Sequence, residues 1–140
     1  MRQNLQTHTG NRIVVEFDGK KIGAVQSARI NDSYGLDDVS GIGDIHVIEH
    51  VPTKATHTVS VSNMVLFNKS MRRAGLVPEN GDDALKGMVF DLVAYSKDTG
   101  EMLRKAIGCS YDSGDISIDA HRVVMASASF KALDVAGMGV

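Results

Sequence analysis

Apolar and polar residues alternate along most of the chain, which is the pattern of β-strands that bury one face. Residues 13–17 (IVVEF) show it first, and Asp18–Gly19 then supplies a typical hairpin turn. A second, longer strand follows from residue 22 to about residue 33. The pattern therefore predicts a mainly β protein that opens with a hairpin.

The segment from Tyr34 to Asp44 breaks this alternation with three glycines and three aspartates, which predicts a loop of about ten residues. Loops of this length in compact domains are commonly functional. Strand character returns in residues 45–51, stops at Pro52 and resumes in residues 55–62, which predicts a second hairpin.

One helix is predicted next. It begins near Ser62 or Asn63, either of which can cap a first turn, and ends before Gly75. Its apolar stripe comprises Met64, Phe67, Met71 and Ala74. Residues 78–83 (PENGDD) are polar and rich in turn formers, so we expect an exposed connector there.

The remaining residues predict a closing set of strands. Residues 85–95 have spacing that fits a helix or a strand, and their β-branched and aromatic content favours the strand. A hairpin loop at 96–100 joins this strand to one over 101–111, and a turn at 112–115 leads into a long last strand over 116–130.

The length of 140 residues (15.0 kDa) predicts one domain. We expect a polar N-terminal arm at 1–12, a single β domain at 13–133 and a small, nearly uncharged tail at 134–140. The fold class is therefore a β-sandwich or barrel with one short flanking α-helix.

Charge and composition narrow the function. The 15 basic and 17 acidic residues give a formal charge of −2, without the basic excess that grips nucleic acid. No apolar run is long enough to span a bilayer, and residues 1–12 lack the apolar segment of a signal peptide. We expect no membrane association and a protein that stays in the cell that makes it unless lysis releases it.

The sequence gives little support for a catalytic or metal-binding site. His46 and His50 are too far apart along a strand, roughly 13 Å, to share one ion, which also disfavours a metal site with His57. Residues 112–119 are rich in oxygen ligands but miss the EF-hand spacing. The single Cys109 lies on an apolar strand face, where a thiol is inert. We expect no enzyme activity, no metal and no cofactor.

A family resemblance emerges from the second half of the chain. It rests on residues 90–100 (FDLVAYSKDTG), 105–109 (KAIGC), 116–124 (ISIDAHRVV) and 129–133 (SFKAL). These segments, and the order of the elements from about residue 13 to residue 133, resemble the tail tube proteins of tailed bacteriophages. The inner tubes of contractile tails and related injection machines belong to the same family.

The resemblance implies a structural virion protein of the tail, made and assembled in the host cytoplasm. Homo-hexameric rings would stack into a tube that conducts DNA to the host, with tail sheath and baseplate proteins as further partners. We expect the loop at 34–44 to make the contact between rings, with apolar anchors and acidic neighbours at Tyr34, Leu36, Asp37, Asp38, Val39, Ile42 and Asp44. The resemblance does not indicate which strand face lines the channel.

Two other functions fit the same pattern. Another tail component of this fold, such as a tube initiator, baseplate protein or terminator, would share these residues without polymerising alone. A monomeric β-barrel that binds a small apolar ligand would also show alternating strands, although four Phe and three Tyr offer it little aromatic lining.

Overall fold

Nine strands and one short helix make up the described chain, which in this computed structural model comprises residues 10, 13–19, 23–66 and 75–139. The predicted class, mainly β with one short helix, is confirmed. The elements are β1 Ile13–Phe17, β2 Gly23–Ser33, β3 Leu36–Val39, β4 Glu49–Pro52, β5 Thr56–Leu66, α1 Gly81–Ala84, β6 Phe90–Ser96, β7 Met102–Ser117, β8 Met125–Ala132 and β9 Asp134–Ala136.

Seven of the strands form one antiparallel sheet in the order β1-β6-β7-β8-β5-β2, with β9 added on β7. Strand β7 belongs to both halves of this sheet, because its first half pairs with β6 and β9 and its second half with β8. The sheet therefore curls about β7, and its two halves face each other across the core. Strands β3 and β4 form a separate two-stranded sheet.

Aromatic rings fill the centre of the core. Phe90 of β6 meets Phe130 of β8 edge to face at 5.0 Å, and the rings of Phe17 and Tyr111 lie against this pair at 6.1 Å. Period-two alternation explains the burial, since every second residue of β5 and β8 turns inward. The inward set is Val59, Val61, Ala126, Ala128 and Phe130.

The predicted opening hairpin is wrong in its pairing, although both strands exist. Strand β1 pairs with β6 and β2 pairs with β5, so the turn at Asp18 and Gly19 connects the two ends of the sheet. Both residues have positive φ (52° and 79°), as a tight turn requires. The turn residues were recognisable, but the curling of the sheet selected other partners for the strands.

The predicted helix start at Ser62 or Asn63 is also wrong, because β5 continues to Leu66. A β-bulge lies there instead: Asn63 has φ 52°, and the pairing with β8 shifts between Val61 and Met64. Ser and Asn favour helix caps and also tolerate the irregular backbone of a bulge. The rest of the predicted helix, residues 67–74, lies outside the described residues.

The described helix is α1, inside the segment predicted to be a polar connector. Asn80 caps it by accepting a hydrogen bond from the backbone N–H of Asp83 at 3.1 Å. The strand predicted from residue 85 begins only at Phe90, and Leu85 is exposed.

The predicted turn at 112–115 is a bulge within β7, between Tyr111 and Ser113. Gly114 permits close packing there, because a Cβ on it would lie 2.6 Å from the carbonyl oxygen of Ser127. Strand β7 therefore runs to Ser117, and the long strand predicted over 116–130 is divided by a loop at 118–124.

The C-terminal tail joins the sheet. Strand β9 pairs with β7, and beyond it the N–H of Gly139 donates to the carbonyl of Leu103 at 3.2 Å. The C-terminal segment thus packs on β7 of its own chain.

Candidate subunit interface

Residues 34–55, which we call the β3–β4 arm, leave the sheet between two paired residues. Ser33 at the end of β2 is opposite Thr56 at the start of β5, and the whole arm is inserted between them. Within it, β3 pairs with β4 from Leu36 opposite Pro52 to Val39 opposite Glu49.

This pairing corrects two predictions. Part of the predicted loop at 34–44 is strand β3, and β4 pairs with β3 and not with the strand that follows it. Strand β5 pairs with β2 and β8. Four-residue strands exposed on both faces show no clear alternation, which is why the sequence pattern did not reveal them.

Backbone contacts at its root hold the arm in place. The N–H of Thr53 donates to the carbonyl of Tyr34 at 3.1 Å, and the Thr53 hydroxyl donates to the carbonyl of Gly35. Gly35 has φ 55°, and a Cβ there would lie 2.8 Å from Thr53 Oγ1 and 3.0 Å from the carbonyl oxygen of Lys54. A glycine is therefore required at this crossing point.

Polar contacts along the arm are few and exposed. His50 Nδ1 and Asp38 Oδ1 are 2.8 Å apart, and the N–H of Gly41 donates to Asp44 Oδ2 at 2.7 Å. His50 thus has a carboxylate partner on the facing strand. In the part of the chain that the structure describes, no group of three His, Cys, Asp or Glu side chains is placed to hold a metal ion.

Large apolar side chains are exposed along the whole arm. They are Tyr34, Leu36, Val39, Ile42, Ile45, Val47, Ile48 and Val51. The most exposed, Ile42 and Ile45, show 110 % and 92 % of their reference area. Exposed large apolar side chains concentrated on one segment are typical of an interaction site.

The seven predicted contact residues all lie on this arm and are exposed, including Asp37, Asp38 and Asp44. The structure thus brings them onto one element. The sequence pattern does not single out Ile45, Val47, Ile48 and Val51, because it predicts an ordinary half-buried strand over these residues. Their exposure is evident only once β4 is seen to pair with β3 alone.

A partly buried polar cluster, which we call the root cluster, lies where the arm leaves the sheet. The buried His57 places Nδ1 2.7 Å from Asp32 Oδ1, and Arg104 Nη2 donates to Asp32 Oδ2 at 3.1 Å. Arg104 Nη1 donates to the carbonyl of Gly137 at 2.8 Å, and the Tyr34 ring meets the His57 ring edge to face at 5.8 Å. The hydrogen bond from His57, followed by those from Arg104, lowers the pKa of the Asp32 carboxyl.

Sequence reasoning missed this cluster. Its one signal was that His57 shares a strand face with Val59 and Val61, where a histidine needs a buried partner. Arg104 is 72 residues away from Asp32 in sequence and gave no signal.

Hydroxyl groups cover the outer face of strands β2, β5, β8 and β7, which we call the hydroxyl face. Twelve residues lie there in three rows, of which the first two are paired throughout and the third is interrupted by the β5 bulge between Ser62 and Ser127. The rows are Arg29, Ser60, Ser129 and Ser113; Asn31, Thr58, Lys131 and Ser110; and Ser27, Ser62, Ser127 and Asp115. Eight of the twelve are Ser or Thr, and the charged side chains Arg29, Lys131 and Asp115 leave a formal charge of +1.

An open cleft of about 510 Å³ lies between the outer strands β1 and β2. Its lining comprises Ile13, Val15, Ala28, Ile30, Asp32, Leu92, Ala94, Leu103 and Arg104. The lining is mostly aliphatic, and Asp32 and Arg104 of the root cluster add charged groups to it.

The remaining candidate groups carry no site. Cys109 is buried as expected, and burial raises the pKa of its thiol to about 11. The one α-helix in the described part of the chain, α1, has four residues. No described helix is long and apolar enough to cross a bilayer.

Comparison with known proteins identifies the family. The family model of the Phi812 tail tube protein matches residues 2–136. "Virion protein 5" of Enterococcus phage phiEF24C is 31% identical over 127 residues, covering 91% of this chain and 90% of that protein.

Solved structures share the fold at low sequence identity. A tail of an empty gene transfer agent particle, refined with C6 symmetry, superposes with a TM-score of 0.66 at 12% identity, covering 94% of this chain and 99% of that chain. The SPP1 tail tube superposes with a TM-score of 0.64 at 12% identity, covering 91% and 76%. The baseplate of the anti-feeding prophage, 6-fold symmetrised, gives a TM-score of 0.61 at 12% identity over the full length of both chains. The chain therefore belongs to the Phi812 tail tube protein family and is a structural tail tube protein of the virion.

Proposed function

We propose that six copies of this chain form a ring, and that the rings stack through the β3–β4 arm into a hollow tube that conducts DNA. The protein acts as a structural subunit without enzyme activity. The observation that carries this proposal is the arm, which exposes eight large apolar side chains on a two-stranded hairpin.

A second copy of the chain is the partner that this arm fits best. A two-stranded hairpin is marginally stable in water by itself, so an arm with this much apolar surface gains stability by docking. A contact between the arm of one copy and a different surface of the next is heterologous, and such contacts repeat into a filament. One heterologous contact can close six copies into a ring, and a second one along the axis stacks the rings into an open-ended tube.

The proposed number of subunits and the proposed partners are supported by the family and its fold relatives. The gene transfer agent tail was refined with C6 symmetry and the anti-feeding prophage baseplate is 6-fold symmetrised, which supports six subunits per ring. A tail tube also meets a baseplate and, in contractile tails, a sheath. We infer these partners for this chain, with assembly in the host cytoplasm.

The hydroxyl face has the properties expected of the wall of a channel that conducts DNA. Short hydroxyl side chains make a smooth polar wall, and a formal charge of +1 over twelve residues gives few lasting phosphate contacts. A wall of many Lys and Arg residues would bind the DNA backbone and retain it. We therefore assign this face to the channel.

Excision of the arm tests the assembly. Ser33 and Thr56 are already paired, so residues 34–55 can be replaced by a two-residue Asn-Gly turn that closes β2 onto β5. We expect a folded monomer or single ring by light scattering at concentrations where the intact chain forms tubes. Tube formation by the excised chain would contradict stacking through the arm.

Thiol labelling tests the channel wall. Because Cys109 is buried, Ser129→Cys adds the one accessible thiol among the described residues. A small maleimide should label this thiol in monomers and in tubes, whereas a maleimide on a bulky polymer should label it only in monomers. Labelling of tubes by the bulky reagent would place the hydroxyl face outside the channel.

The aliphatic cleft favours one second function, the binding of a small apolar ligand by a monomer. Its volume of about 510 Å³ is in the range of small-molecule sites. A fluorescent apolar probe that saturates at one molecule per chain, on a protein that stays monomeric when concentrated, would support this function over the tube.

A further inference from the structure

The root cluster joins four segments that are distant in sequence. Asp32 is near the end of β2, His57 is near the start of β5, Arg104 is in β7, and Gly137 follows β9. Strand β7 is adjacent to neither β2 nor β5 in the sheet, so the hydrogen bond from Arg104 to Asp32 of β2 crosses between the two halves. The cluster therefore connects the two halves of the curled sheet at the point where the arm leaves it.

Arg104 has two separate acceptors there. One terminal nitrogen donates to the Asp32 carboxylate at 3.1 Å and the other donates to the Gly137 carbonyl at 2.8 Å. Gly137 has φ 101°, and a Cβ on it would lie 2.7 Å from the carbonyl oxygen of Leu103. The C-terminal segment is thus packed tightly on β7, which gives Arg104 a fixed point from which to hold Asp32.

The arm connects to this cluster through Tyr34. Its ring meets the His57 imidazole edge to face at 5.8 Å, and its carbonyl accepts the hydrogen bond from the N–H of Thr53 that closes the root. His57 is in turn held by Asp32, and the His57 side chain is only 4% exposed. A rotation of the arm about its root would therefore have to separate Tyr34 from a side chain that is fixed on its other side.

We propose that Arg104 is a positioning residue that locks the β3–β4 arm to the C-terminal segment and so sets the direction of the arm before it docks. This inference rests on the proposed role of the arm in stacking. An arm that is already directed loses less conformational freedom on docking, which lowers the concentration needed for assembly.

The neighbouring residue Lys105 provides a matched control. It lies on the same strand, and its side chain pairs with Asp91 at 3.4 Å, on the other side of β7 from the arm. Its exposure of 33% is close to the 26% of Arg104. Arg104→Met and Lys105→Met therefore each remove one partly exposed ion pair of β7, and only the first is connected to the arm.

Trypsin reports the freedom of the arm, because Lys54 is the one Lys or Arg in residues 34–55. Native-state cleavage rates follow local opening. In the monomeric full chain we expect Arg104→Met to be cleaved after Lys54 about tenfold faster than Lys105→Met, with similar melting temperatures for the two variants. We expect the critical concentration for tube assembly to rise about tenfold for Arg104→Met alone.

Asp32→Asn is a second variant, close in shape to the native side chain, for use if Arg104→Met does not fold. It should also raise the cleavage rate after Lys54 and the critical concentration for assembly. Equal cleavage of Arg104→Met and Lys105→Met after Lys54 would overturn the lock, whatever the arm does in assembly. Faster cleavage with an unchanged critical concentration would overturn its role in docking. Excision of residues 34–55 tests the proposed function separately. Tubes formed without the arm would refute stacking through the arm, whereas the cleavage rates after Lys54 in the full chain would still measure the lock.

Discussion

The isoleucines at the tip of the β3–β4 arm allow a sharp test, because their contributions to folding and to assembly can be separated. Ile42 and Ile45 have exposures of 110 % and 92 %, so neither buries area within its own chain. Ile42→Ser combined with Ile45→Ser should therefore leave the free energy of unfolding nearly unchanged. Burial of an isoleucine side chain contributes about 1.5–3 kcal/mol.

If both side chains are buried when rings stack, the double variant loses about 3–6 kcal/mol of contact free energy for each subunit. Each 1.4 kcal/mol is a factor of ten in a dissociation constant, so the contact should weaken by about 10²- to 10⁴-fold. Light scattering over a concentration series measures the onset of assembly, and circular dichroism measures the melting temperature.

Leu85→Ser is the control, since Leu85 is 87% exposed and lies outside the arm. We expect it to change the onset of assembly much less than the isoleucine pair does. The reasoning is refuted if the double variant assembles at the same concentration as the unaltered chain, or if Leu85→Ser impairs assembly equally.

Three further predictions concern the folded domain. Phe130→Ala should destabilise the chain by about 3–5 kcal/mol in chemical denaturation, because Phe130 is fully buried against Phe90; a loss below about 1 kcal/mol would contradict its central place in the core. The Cys109 thiol, whose pKa is raised by burial to about 11, should react with a thiol reagent at neutral pH only after denaturant is added, and rapid reaction of the folded chain would show that the strand is open. The folded-state pKa of Asp32 is lowered from 3.8, so its contribution to stability is present above that pH and is lost as the pH falls through the lowered value. Between about pH 5 and pH 3 the melting temperature of the unaltered chain should therefore fall further than that of Asp32→Asn, and equal falls would show that the contacts of this carboxylate are absent in solution.

The sequence predicted which segments are strands better than which strands pair. Alternation is a local property, and it correctly indicated residues 13–17, most of 22–33 and the hairpin between β6 and β7. Pairing depends on how the whole sheet curls. A tight turn at Asp18–Gly19 therefore joins strands that have other partners.

Bulges explain two of the wrong predictions. The sequence predicts a helix cap at Asn63 and a turn from Asp112 to Asp115, yet both positions interrupt a continuing strand. The residue types that cap helices and form turns are the ones that also tolerate bulge geometry. Only the partner strand decides between these outcomes.

The candidate site was predicted in part. An interruption rich in glycine and aspartate indicated the arm, but its second strand was missed because its apolar residues are typical of a half-buried strand. The root cluster could not have been found, since Asp32 and Arg104 meet only after the sheet has folded over its core.

Cryo-electron microscopy of the purified, concentrated protein is the measurement that tests the central claim most directly. A helical reconstruction should show a hollow tube with six copies per ring, residues 34–55 extending onto the next ring and the hydroxyl face toward the channel. A protein that stays monomeric at every concentration, or a filament without a channel, would contradict the account.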